Sequence, residues 1–142
     1  MQIFRKKGAV LSAEAVAYLC VIILAVGVGL YGFSEWIDSG RRNSAKAELS
    51  TIASAVSTYK YDMDAYPKDL NTLTQKNGSY GPWLATLSKD PWGKDYHVVY
   101  NKDNTHFIVY TFANKEGAGT PPDPNNLSST QSNTSCVYLV GQ

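Results

Sequence analysis

Two apolar patterns follow one another along the chain. From Ala15 to Phe33 no charged residue interrupts the run. About nineteen residues at about 1.5 Å rise each give roughly 28 Å, the thickness of a bilayer's hydrocarbon core, so this stretch is predicted to be a helix able to span a membrane. Beyond it the pattern becomes one-sided. Ala45, Leu49, Ile52, Val56, Tyr59 and Met63 recur at alternating spacings of four and three, with Lys46, Glu48, Ser50 and Ser54 between them. That spacing predicts an amphipathic helix. No proline precedes Pro67, so one nearly continuous helix from about Leu11 to Asp62 is expected, with Gly40 a place where it could be interrupted. Tyr66-Pro67 stops it, because the residue before a proline is pushed out of the helical region.

The rest of the chain reads as short elements joined by turns. Lys68 to Leu87 places Leu70, Leu73, Trp83, Leu84 and Leu87 among polar residues, with a turn at Asn77-Gly78, and predicts a loop containing a short helical turn. In Lys89-Asp90-Pro91-Trp92-Gly93-Lys94, Pro91 restricts φ and Gly93 permits a tight reversal. Tyr96 to Tyr100 and His106 to Phe112 are β-branched and aromatic, and Asn101 to Asn104 between them makes a hairpin turn. Asn114 to Asn133 is a Gly, Pro, Ser, Thr and Asn loop, and Cys136 to Val140 a last strand. The fold class is therefore α+β, a long N-terminal helix packed on a small antiparallel sheet. Its expected parts are a basic leader segment at 1–9, the helix at 10–62 with 11–33 as membrane or filament core, and a head at 63–142.

Charge orients the first segment. The chain carries 13 basic and 12 acidic residues for a formal charge of +1, so no overall field attracts nucleic acid. Locally, Arg5, Lys6 and Lys7 precede the apolar run while Glu35 and Asp38 follow it, which puts the N-terminus in the cytoplasm. The small pair Gly8-Ala9 lies before the apolar run, the reverse of a secretory signal peptide, so the apolar helix is expected to be retained. Cys20 in the apolar run and Cys136 near the C-terminus are too far apart in the expected fold for a disulfide, and two thiols are expected.

Candidate chemistry is sparse. Gly27, Gly29 and Gly32 spell the dinucleotide fingerprint as text but lack the preceding strand, and read instead as places of lower helix stability and close helix approach. Glu14 at the lipid edge becomes costly when helices bundle away from water, unless a cation partners it. A free α-amino group would be such a partner if the chain were cut just upstream. His97 and His106 share a face of the hairpin if Tyr100 pairs with Thr105, and without a neighbouring carboxylate or cysteine they read as strand residues. No nucleophile, base and orienting group cluster, and the serine-dense stretch Ser128 to Ser135 reads as a flexible loop. Asn77, Asn126 and Asn133 begin N-x-Ser triplets of the kind that arise by chance in polar stretches. Core and sheet packing accounts for the tyrosines and tryptophans.

The basic residues, the small-residue step, Glu14, the apolar helix and its amphipathic continuation resemble the type IV pilin family. Tyr59-Lys60-Tyr61-Asp62, Ala65-Tyr66-Pro67 and above all Asp90, Pro91, Trp92 and Gly93 before the Tyr96 hairpin look like the major pseudopilin of type II secretion systems and its pilin relatives. The likeness covers roughly Lys6 to Thr111. It implies removal of the leader by a prepilin peptidase, methylation of the new N-terminus, and polymerisation of the chain with itself into a helical filament, served by assembly machinery in the inner membrane.

The resemblance also has departures. Gly8, Ala9 and Val10 offer two cut sites: after Gly8, Glu14 falls one place too far along; after Ala9 it falls at the usual place. The major pseudopilins resemble calcium binders through an acidic loop, where this chain has Glu116 and Asp123, too few carboxylates for the usual six or more oxygens. No disulfide closes the C-terminal region, unlike that of many adhesive pilins. The expectation is a non-enzymatic filament subunit without a cofactor, first as a surface pilus for adhesion, motility or DNA uptake. The alternatives are the secretion pseudopilin and a monomeric, single-pass anchored binding module.

Overall fold

The computed structural model describes residues 2–131 and 135–142, and among these the side chains outside 2–12, 25–35 and 131. The chain divides into two compact units, Met1–Ser39 and Gly40–Gln142. Helix α1, Gln2–Met63, supplies the described backbone of the first and the opening helix of the second. It runs through Gly40 without a break, and a Cβ there would meet open space. An isolated glycine weakens a helix by about 1 kcal/mol, too little to end one this long. Asp64 in the left-handed region (φ 53°) and Pro67 beyond it end the helix, and Lys60 in its last turn suits the negative end of the helix dipole.

In the second unit the predicted stripe becomes the core as far as Tyr59, while Met63, its last member, is half-buried and outside the core cluster. Ala45, Leu49, Ile52, Ala53 and Val56 are buried against Leu70, Leu73, Leu84, Tyr96, Phe107, Val109 and Val137. Tyr59 packs partly buried beside them. The expected helical turn is a 3₁₀ helix at Leu70–Thr74, capped by Asp69, whose carboxylate accepts from Thr72 N at 3.0 Å. Its Leu70 and Leu73 are buried.

Strands β1 (His97–Tyr100), β2 (Phe107–Thr111) and β3 (Val137–Gly141) form an antiparallel sheet in the order β1-β2-β3. Central β2 is buried along its whole length. Phe107 and Val109 belong to the core shared with α1, whereas Ile108 and Tyr110 join Cys136 in a second cluster, the alternation that a pleated strand imposes.

The condition set for the two histidines is not met in the hairpin. Tyr100 pairs with Phe107, not Thr105. Asn101 is the reason: its Oδ1 accepts from the backbone N of both Thr105 and His106, at 2.9 and 3.0 Å, which keeps those residues in the turn. The long loop also holds a short helix, α2, Leu127–Gln131, begun by Asn126, whose Oδ1 accepts from Ser129 N at 3.2 Å.

Candidate functional site

Asp90 organises the turn that the sequence singles out. Its backbone N donates to Lys94 O at 2.8 Å, and Gly93 N donates to Asp90 O at 2.9 Å. The carboxylate then takes three more donors: Oδ1 accepts from Trp92 N at 3.0 Å and Lys94 N at 2.7 Å, and Oδ2 accepts the Thr111 hydroxyl. Asp90 and Thr111 are both buried, so the turn is tied directly to the end of β2. The roles of the motif residues follow. Pro91 has no N–H to leave unpaired, Gly93 takes φ 79°, and Trp92 packs against the core. The Asp90, Pro91, Trp92 and Gly93 turn is thus a structural hub that aims the chain into β1.

Around this hub, polar pairs join α1 to the head. The Tyr96 hydroxyl donates to Glu48 Oε2. Trp83 Nε1–H donates to Asp62 Oδ2 at 2.7 Å while its ring meets Tyr59 edge-on, centroids 4.6 Å apart. Tyr100 stacks on Tyr66 at 4.7 Å and donates to Pro67 O at 2.6 Å. Burial pushes the Tyr96 and Tyr100 hydroxyls well above the usual phenol range, and for Tyr96 the bond to Glu48 adds to the effect. At the surface, the hydrogen bond from Lys89 and then its charge hold the Asp95 carboxyl below the usual carboxylate range. Sequence reasoning missed Glu48, Asp62 and Thr111 as partners, because nothing local marks a pair separated by tens of residues.

The first unit has the opposite character. Val16, Tyr18, Leu19 and Val21 through Leu24 are each between 55% and 69% exposed. At about 100° of helical turn per residue, four consecutive exposed apolar side chains cover the whole circumference. Glu14 lies exposed at the start of this stretch, and Cys20 is exposed within it. Among the described residues no helix is long and apolar enough to cross a membrane. The candidates Gly8, Ala9, Val10, Gly27, Gly29 and Gly32 lie outside the residues whose side chains are described, as does Asn133 of the third N-x-Ser triplet.

The histidines are not brought together at a metal. The His97 ring stacks on Tyr110 at 5.2 Å, while His106 faces Pro124 O and the Thr105 hydroxyl. The Cys136 thiol is buried and donates to Thr120 O at 3.3 Å. The residues present do not fit a calcium ion. Asp123 Oδ1 accepts from Asn125 N at 2.9 Å, Glu116 is exposed, and among the described residues no three His, Cys, Asp or Glu side chains form a group that could hold a metal.

The family model described as Type II secretion system (T2SS), protein G matches residues 33–130. The type II secretion system core protein G of Vibrio cholerae serotype O1 is 27% identical over 126 residues, covering 75% of this chain and 84% of that protein. That of Pectobacterium carotovorum subsp. carotovorum is 26% identical over 136 residues, covering 87% and 85%. That of Xanthomonas campestris pv. campestris is 31% identical over 61 residues, covering 39% of this chain and 43%, less than half, of that protein.

Proposed function

The chain belongs to the type II secretion system protein G family, and from that premise we propose that it is a major pseudopilin, a structural and non-enzymatic subunit of a short envelope filament that drives protein secretion. One observation carries the polymer: apolar side chains of residues 16–24 are exposed around the whole helix, a surface that needs lipid before assembly and neighbouring helices after it. Before assembly the apolar segment anchors the chain in the cytoplasmic membrane, with Arg5, Lys6 and Lys7 on the cytoplasmic side. A prepilin peptidase removes the leader within Gly8-Ala9-Val10. After assembly the filament stands in the periplasm with the heads outward. Glu14 then sets the register by meeting a neighbour's free α-amino group, an attraction of about 4 kcal/mol at about 4 Å and an effective dielectric near 20, before desolvation. Gly27, Gly29 and Gly32 allow close helix approach in the bundle.

The comparisons support the secretion pseudopilus better than the surface pilus placed first by the sequence pattern, since the relatives are named for secretion. Deleting the gene in its own bacterium tests this choice. Exported proteins should accumulate in the periplasm while surface filaments persist; loss of surface filaments with normal secretion would return the pilus reading to first place.

A further inference from the structure

We infer that residues 122–130 form a latch over the hairpin turn that is closed by protein contacts alone, so that this loop needs no divalent cation to be ordered. Pro122, Pro124 and Thr130 are buried in a loop that composition alone would leave in solvent. The Thr130 hydroxyl oxygen accepts from Asp123 N at 3.0 Å and donates to Asp123 O at 2.9 Å, clamping the two ends of the segment together. Two further bonds close it onto the turn between β1 and β2. Lys102 N donates to Asn125 Oδ1 at 3.0 Å. His106 Nε2 lies within hydrogen-bonding reach of Pro124 O, and since a carbonyl only accepts, that nitrogen carries the proton.

These contacts consume the oxygens a cation would want. The carbonyls of Asp123 and Pro124 already accept protein donors, and Asp123 Oδ1 is turned to Asn125 N. Calcium needs six or more oxygens with several carboxylates, whereas residues 122–130 hold a single carboxylate, Asp123, whose Oδ1 is engaged by a backbone amide. The latch and a calcium site are alternative ways to order one segment, and this chain carries the first.

Amide hydrogen exchange, read by NMR on the full chain in detergent micelles with excess calcium chloride or with EDTA, tests the latch. The Asp123 and Lys102 amides should exchange at equal rates in both conditions. Thr130→Val should speed Asp123 exchange by roughly five- to tenfold, and Asn125→Ala should do the same for Lys102, with no rescue by calcium. Asn125 is exposed, so its variant keeps the test valid should Thr130→Val unfold the head. Calcium-dependent slowing of these amides in the wild-type chain, or unchanged exchange in the variants, overturns the proposal.

Discussion

Asp90 shows how one side chain can hold a turn. Its carboxylate accepts two backbone amides and a hydroxyl inside the head. Asp90→Ala strands those donors in a buried place and should cost about 2–4 kcal/mol, whereas Asp90→Asn keeps one acceptor oxygen and should cost less. Chemical denaturation of the two variants beside the wild type gives the difference. Lys89 and Asp95 make the contrasting case of an ion pair at the surface, 62% and 69% exposed. The Asp95 carboxyl is lowered in the folded chain, so its stabilisation is present above the ordinary carboxylate pKa of about 4 and is lost as pH falls through the lower folded value. Lys89→Ala should return that carboxyl toward its ordinary range in an NMR pH titration. Exposure and salt screening should leave the melting temperature unmoved.

At the scale of elements, the seam between the head portion of α1 and the sheet holds the second unit together. Leu49 is completely buried in it, and Leu49→Ala should cost about 2–5 kcal/mol, measurable as a lower denaturation midpoint at an unchanged slope. The pairing of β2 with β3 is as close-fitting. Gly141 faces Phe107 across the ladder, and a Cβ there would collide with the buried Phe107 ring. Gly141→Ala should therefore destabilise the head by about 1–3 kcal/mol through overpacking. A variant that melts like the wild type would show that the ring can move aside. Hairpin and loop are joined in turn by the bonds to Asn125 and Pro124.

Across the whole molecule, one unit exposes what the other hides. The first presents apolar side chains around its helix, and the second buries them on one face. A carboxylate at the edge of such an apolar stretch is inexpensive while it is hydrated and costly once helices surround it without a cation. Glu14→Ala should consequently leave membrane insertion intact, as read by flotation with membranes, yet suppress filament growth seen by electron microscopy. Normal filaments from that variant would remove Glu14 from its assembly role. Intact-mass measurement of the native protein tests the proposed cut: a mass lower by residues 1–8 or 1–9 and higher by one methyl group is expected, and an uncut mass would remove the proposal.

Local pattern was enough for much of this protein, because helix and strand periodicity and turn chemistry act over a few residues. The spacing from Ala45 to Tyr59 identified the core-facing side of α1, Pro67 its end, the aromatic and β-branched runs the sheet, and Asp90 to Gly93 the turn. The helix Leu127–Gln131 was read as loop, because five residues in a polar stretch show no apolar periodicity of their own. Tertiary structure alone decided the partners: Tyr96 with Glu48, Trp83 with Asp62, Thr111 with Asp90, and Thr130 with Asp123 across a loop. It also set the hairpin register, because a shift of two residues keeps every side chain on its face and leaves the alternating pattern unchanged. The Asn101 side chain, folded back on two amides, and the Asn101 N–H donating to His106 O place Phe107 rather than Thr105 opposite Tyr100.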